Sequence, residues 1–243
     1  MKAPQTLISA GDTWQYLDSG ADLGSAWQTN VLDSNTWLIG QGQFGYGDGD
    51  EQTQIGYGPD IAAKYITTYF RKSFAVTNLP PSFRLELKIL CNDGAAVFLN
   101  GALVTVVNLS SNATSLTPAT APQDNLKDTW FTIPVNPTFL LPGTNTLAVE
   151  VHLSDGTRPY LSFDTQLISI ETKPIRITSI TPLAGGQFQL RVESELPELS
   201  VHATENWTDW SVLGNVTLTN GAGVFITPQN VYFSHRYYRL RSP

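Results

Sequence analysis

Charge is what this sequence has least of. Lys and Arg number 14 and Asp and Glu 21, only 14% of 243 residues, against about 25% in an ordinary soluble domain. The balance is acidic, net −7, so the basic stripe that displaces counterions from a nucleic-acid backbone is missing and nucleic acid is excluded as a partner. No apolar run approaches the roughly 20 residues of a membrane-spanning helix, and no lipidation motif occurs; membrane insertion is not expected. A single cysteine, Cys91, rules out an intrachain disulfide framework and any Cys-based zinc site. The opening Met1-Lys2-Ala3-Pro4-Gln5 lacks the apolar stretch of a signal peptide. Few charges among abundant Thr and Asn suit an exported chain, so the expectation is a secreted or cell-surface protein whose signal peptide lies outside this sequence.

What is present is a β pattern. The hydrophobic fraction, 41%, suffices for a sizeable core. Phe83, Leu85, Leu87, Ile89 and Cys91 alternate with Arg84, Glu86 and Lys88, the signature of a strand with one buried and one wet face. Cys91 falls on the apolar side and reads as a small buried hydrophobe. Leu147 to Leu153 repeats the pattern with Glu150 and His152 on the opposite, exposed face, and Leu161 to Ile170 repeats it again. Tyr65 to Val76 is a further long strand of aromatic and β-branched residues. Asn92-Asp93-Gly94, Pro142-Gly143 and Asp155-Gly156 mark turns, and Asn100-Gly101 between Val97-Phe98-Leu99 and Leu103-Val104 predicts a type I′ hairpin. Helical signals are poor. Ala10 to Glu51 reads as a long wrapped loop with short strands, and Ser110 to Leu126 as a long exposed loop.

A boundary is expected near Glu171-Thr172-Lys173-Pro174, giving domains 1–171 and 172–243. The second holds short strands at Ile175–Ile180, Gln187–Val192, Leu199–Ala203, Val224–Ile226 and Tyr232–Leu240, with Gly185-Gly186 as a turn. This is enough for a small sandwich-like module. The fold class is therefore all-β throughout.

Three strings stand in order in the first domain: Tyr69-Phe70-Arg71-Lys72-Ser73-Phe74, then Asn92-Asp93-Gly94-Ala95-Ala96-Val97-Phe98-Leu99-Asn100-Gly101, then Pro142-Gly143-Thr144-Asn145-Thr146-Leu147-Ala148-Val149-Glu150-Val151. They resemble the galactose-binding-like jelly-roll β-sandwich, as in the sugar-binding domain of family 2 glycoside hydrolases. Gly45-Tyr46-Gly47-Asp48-Gly49-Asp50-Glu51 and Tyr65 to Arg71 resemble accessory domains appended to secreted bacterial metallophosphoesterases and other hydrolases. The resemblance covers residues 8–171. It implies the fold and an accessory role beside adjoining domains of a parent protein, while that fold serves carbohydrate binding, protein contacts and structural roles alike. Gly186 to Leu190, Asn206-Trp207-Thr208-Asp209-Trp210 and Arg236-Tyr237-Tyr238-Arg239-Leu240 resemble a short β module at the C-termini of large secreted bacterial proteins, which implies a spacer or attachment role.

Catalytic motifs are missing: no G-x-S-x-G, H-E-x-x-H or P-loop occurs, and no G-x-G-x-x-G opens a helix. His152 beside Glu150 is the one candidate base, and a hydrolase site around it is the enzymatic alternative to a non-catalytic protein. Asp48-Gly49-Asp50-Glu51 places three carboxylates in four residues. Asp48, Asp50 and Glu51 could hold a structural Ca²⁺ through hard oxygen ligands, or form an acidic turn. It is not an EF-hand, since Thr53 and Pro59 stand where that loop needs Gly and Glu. Saccharides are recognised by aromatic faces with polar groups on their hydroxyls. Trp37, Tyr46, Tyr57, Asp93, Arg158 and Tyr160 are the candidates, with Trp14 and Trp27 read as staples between loop and sheet and Trp207 and Trp210 as core of the small module. The leading expectation is a carbohydrate-binding accessory module that targets its parent to polysaccharide; a ligand-free structural or protein-contact spacer is the alternative.

Overall fold

The computed structural model describes residues 3–29, 36–229 and 235–242. The chain divides into two compact units, the larger ending at Glu171 and the smaller beginning at Thr172.

The larger unit is a sandwich of two six-stranded sheets. In one, β10 (Trp130–Val135), β7 (Phe83–Asn92), β12 (Leu161–Glu171), β4 (Phe44–Tyr46) and β5 (Thr53–Gln54) lie in that order, and β1 (Gln5–Ile8) also pairs with β12. In the other, the order is β3 (Leu38–Gln41), β2 (Thr13–Leu17), β6 (Thr67–Val76), β11 (Gly143–His152), β8 (Gly94–Leu99) and β9 (Ala102–Val107). Period-two patterning decides which face is inside. Leu85, Leu87, Ile89 and Cys91 of β7 meet Val97, Leu99, Val149 and Val151 of the facing sheet in one core. At its centre Phe163 stacks on Phe70 with centroids 4.2 Å apart and takes the edge of Trp14 at 5.4 Å. Burial, with help from the Asp93 charge, pushes the Cys91 thiol up to about 12, so it packs as an inert hydrophobe.

The segment from Ala10 to Glu51 carries the short strands β2, β3 and β4, and its described residues also supply a third layer. Leu17, Tyr69, Ala148 and Phe98 alternate with the inward residues and so face away from the core. They are covered by Trp27, on a single 3₁₀ turn (Ala26–Gln28), and by Trp37. The expected staple thus holds for Trp27, whereas Trp14 lies in the central core.

The Asn100-Gly101 turn has positive φ at both residues, 53° and 82°, as a type I′ turn demands. The Asn100 amide also donates to the Phe139 carbonyl and to Asn145 Oδ1, both at 2.8 Å, and its Oδ1 accepts the Thr146 N–H at 2.9 Å. Asn145 is fully buried and accepts the Leu141 N–H. The hairpin and the Pro142-Gly143 turn, far apart in sequence, therefore share one polar network.

The smaller unit packs two three-stranded sheets, β13 (Arg176–Pro182), β14 (Phe188–Glu193), β17 (Ala222–Ile226) and β16 (Ser211–Thr217), β15 (Glu198–Thr204), β18 (Tyr237–Arg241). Its core is Leu190, Val192, Leu199, Val201, Val216 and Leu218. Of the strand expected over Tyr232–Leu240, the first residues lie outside the described residues, and β18 is described from Tyr237. Trp207 and Trp210 are not in this core. They sit on the turn after β15, with Trp207 63% exposed.

Phe163 is fully buried among Trp14, Phe44 and Phe70. Phe163→Ala should cost the larger unit about 3–5 kcal/mol in chemical denaturation; a loss below about 1 kcal/mol would contradict this packing.

Candidate functional site

The chain leaves one sheet at Asn92 and enters the other at Gly94, so Asp93 alone turns the corner at one end of the sandwich. The side chain of Asp93 is fully buried. Its Oδ1 accepts the Gln123 N–H at 2.8 Å and its Oδ2 the Ser154 N–H at 2.7 Å, with Arg158 Nε 3.6 Å from Oδ2. The Asn108 amide donates to the Asp93 carbonyl at 3.1 Å and to that of Ala121 at 2.7 Å. One carboxylate and one peptide thus tie down two loops, the one after β9 and the one after β11. Arg158 pairs also with Asp124. Lys64, buried too, donates to the carbonyls of Ile61 and Arg158 at 3.1 and 2.8 Å, beside the rings of Tyr46 and Tyr57.

Tyr46 and Tyr57 meet edge to face at 5.2 Å. Burial raises the Tyr46 hydroxyl well above the usual phenol range, and the Asp93 charge and Tyr57 add to it. Gly47, with φ of 106°, lies so close to Pro159 that a Cβ there would stand 2.2 Å from its carbonyl oxygen and 3.0 Å from the Tyr160 ring. Only glycine permits this approach. Five of the six sequence-predicted saccharide residues, Tyr46, Tyr57, Asp93, Arg158 and Tyr160, are therefore brought together. Trp37 is not among them: it stacks on Trp27 at 6.4 Å over the outer face of β6 and β11, with the Arg71 guanidinium above its ring.

The gathered side chains differ in what they can do. Asp93 and Lys64 are spent on loop anchoring, and Tyr46 is 4% exposed. Tyr57 and Tyr160 remain half-buried. At the same end of the sandwich Tyr46 Oη, Gln123 Oε1, Asp124 Oδ1 and Ser154 Oγ are shielded from solvent without a protein hydrogen-bond partner. Buried polar atoms of this kind are ordinarily satisfied by water or ligand. Sequence reasoning missed Lys64, Gln123 and Ser154, because two of these act through backbone amides and the third through a buried ammonium; no motif signals either.

A second cluster lies on the outer face of the β7–β12 sheet. Asp48, Asp50 and Asp128 each offer a carboxylate oxygen, all within 4.8 Å of one another. Ser162 donates to Asp48 Oδ2 at 3.3 Å, and Lys127 Nζ lies 3.4 Å from the same oxygen. Asn92 pairs in register with Ser162, and β10 runs Trp130 opposite Leu90. Asp128 lies in the turn two residues before β10. The Asn92 amide is fully buried with neither atom hydrogen-bonded, and Asp48 Oδ1 is likewise unpartnered. Glu51 borders this group, its carboxylate accepting the N–H groups of Asp48 and Gly49 at 3.3 and 3.1 Å beside the Asp48 carboxyl. Burial works to raise Asp48, but hydrogen bonding with Glu51, Asp50 and Lys127 outweighs it and holds its carboxyl below the usual range. Asp50 is pushed up by burial and by Asp48. The oxygen-rich donor set fits a hard cation. Asp128, eighty residues away in sequence from Asp48, carried no local signal.

His152 is not on an exposed face. It is fully buried beneath the segment expected to be an exposed loop: Nδ1 lies 2.8 Å from the Thr117 carbonyl and 3.0 Å from Thr67 Oγ1. Thr67 donates its own proton to the Ser115 carbonyl at 2.7 Å, and Glu150 stands 3.6 Å from Nε2. Both protons around Nδ1 are committed to backbone carbonyls, which suits loop anchoring and leaves no activated hydroxyl.

No protein-family model matches the chain, and no curated protein matches it. Among solved structures it is similar to an uncultured Clostridium sp. β-glucuronidase (14% identity, TM-score 0.47, 99% of this chain and 42% of that one). A β-glucuronidase from Ruminococcus gnavus gives 10% identity and a TM-score of 0.47, covering 94% and 40%. A β-glucuronidase from glycoside hydrolase family 2 gives 12% and 0.45, covering 98% and 26%. The chain spans about two fifths or less of the length of these enzymes, and at this level the likeness says nothing of activity.

Asp93→Ala strips the acceptor from two buried N–H groups and one of two counter-charges from Arg158. Loss of about 3 kcal/mol from the larger unit is expected in urea denaturation; an unchanged midpoint would contradict the anchoring role.

Proposed function

We propose that this protein is a non-catalytic, carbohydrate-binding accessory module of a larger secreted protein, which it holds against polysaccharide. The observation that carries the reading is the end of the sandwich, where half-buried Tyr57 lies against Tyr46 and half-buried Tyr160 against Gly47, and where several shielded polar atoms have no protein hydrogen-bond partner. A pyranose fits such chemistry: an aromatic face takes its C–H surface while donors and acceptors take its hydroxyls. The low charge of the sequence suits an uncharged ligand and an extracellular setting. A ligand-free spacer is the second reading, favoured by the commitment of Asp93 and Lys64 to loop anchoring.

Affinity electrophoresis against hydroxyethyl cellulose, arabinoxylan and galactomannan tests this. The chain should be retarded by at least one, and Tyr160→Ala should weaken that retardation about tenfold or more; migration unaffected by all three would leave the spacer reading.

Structural Ca²⁺ belongs to the same proposal. Asp48, Asp50 and Asp128 would hold the ion, with the Asn92 and Ser162 oxygens beside them, and its charge would offset the repulsion among the carboxylates. At a hundredfold excess over Kd, binding stabilises by about 2.7 kcal/mol, roughly 5–10 °C for a unit of this size. Melting with Ca²⁺ should exceed that with EDTA by this margin, and Asp48→Ala/Asp50→Ala should erase the difference. Equal melting of the wild type in both buffers would dispose of the ion.

A further inference from the structure

We propose that the smaller unit carries its own glycan-stacking surface, centred on Trp207. The loop joining β15 to β16 holds Asn206-Trp207-Thr208-Asp209-Trp210. β18 runs beside β15 with Tyr237 opposite Thr204 and Arg239 opposite His202. Side-chain alternation puts Tyr237 and Arg239 on the face of this sheet away from the core that Tyr238 and Leu240 join. The loop folds its two indoles over that face. Trp207 packs on Tyr237 with centroids 4.0 Å apart, and Arg239 lies 4.0 Å from the Trp210 ring.

The two indoles have different duties. Trp210 spends its indole N–H on the Trp207 carbonyl at 3.0 Å and its ring on the guanidinium. Trp207 is 63% exposed, the most exposed aromatic among the large exposed hydrophobics of the described residues. Its backbone is held at φ of 66°, a left-handed conformation that a bulky residue adopts only at a cost. Asn206 enforces it: Oδ1 accepts the N–H groups of Thr208 and Asp209 at 3.0 and 2.9 Å, and Nδ2 donates to Asp209 at 2.6 Å. An indole that served only packing would gain nothing by being held outward in a strained conformation.

The surroundings select the occupant. The same loop borders a shallow cavity of about 200 Å³ lined by Thr204, Glu205, Asn206, Asp209, Ser211 and Arg236. Hydroxyl, amide, carboxylate and guanidinium groups alternate there, with both signs of charge and no apolar trough for a peptide or lipid chain. A flat C–H face bordered by hydroxyls, as in a neutral hexose polymer, matches an exposed ring beside such a mixed polar hollow. This deepens the proposed function by sharing its ligand class, but it rests on different residues and is separable from the site at Tyr160.

Trp207→Gly is the decisive variant, since glycine adopts the left-handed conformation without strain and the variant should melt no lower than wild type. In affinity electrophoresis of the full chain on hydroxyethyl cellulose, arabinoxylan and galactomannan, it should weaken retardation by the responsive polymer about tenfold. Trp207→Tyr should stay within about threefold of wild type. Loss in Trp207→Gly with retention in Tyr160→Ala supports this surface and removes the other site; loss in both supports both. Unchanged retardation of Trp207→Gly overturns the proposal while a loss in Tyr160→Ala leaves the proposed function standing. No retardation of wild type by any polymer overturns both.

Discussion

A carboxylate taken out of water must find compensation for its lost hydration, and Asp93 finds it in the loops around it. Because the chain passes from one sheet to the other at this residue, its carboxylate lies where the loops following β9 and β11 converge. Two backbone N–H groups and a guanidinium answer it, so its own desolvation is offset only if those loops lie in place. Arg158 passes the constraint on to Asp124 and, through its carbonyl, to Lys64. The half-buried tyrosines are presented by segments that this network holds still. Preorganisation of this kind reduces the ordering that a ligand would otherwise impose.

Most of the sandwich was legible because its strands obey a rule that burial writes directly into sequence. β7, β11 and β12 alternate strictly, and the Asn100-Gly101 turn follows from the positive φ that few residues accept. What stayed hidden was set by partners distant in sequence. β10 went unread in the sequence, because its pattern makes sense only beside β7. His152 was read as exposed on alternation alone, whereas the segment 115–119 covers it, its backbone carbonyls accepting hydrogen bonds from Thr67 and His152. Trp37 carried the composition of a binding residue and does the work of a cover, since a third layer on the sheet of β6 and β11 has no periodic signature.

The tryptophans show the same limit from the opposite side. Trp207 and Trp210 read as core by residue type, yet the small unit fills its buried centre with aliphatic residues drawn mainly from β14, β15 and β16. Large aromatic rings are mostly buried, so an exposed one held in a strained backbone is the more informative observation. The acidic cluster was half legible: Asp48 and Asp50 are neighbours, while Asp128 joins them only in the folded chain. Glu51, adjacent in sequence, borders them by accepting the backbone N–H groups of Asp48 and Gly49.

Hydrogen–deuterium exchange on wild type and Asp93→Asn interrogates the anchor most directly. In wild type the Gln123 and Ser154 amides should be strongly protected. In the variant an NH₂ group faces one of those N–H donors and one of the two charges opposing Arg158 is gone. At least one of the two amides should exchange tenfold faster or more, together with neighbours in residues 115–128 and 153–160, while β7 and β12 stay protected. Equal protection in both proteins would contradict the claim that this one carboxylate fixes the end of the sandwich.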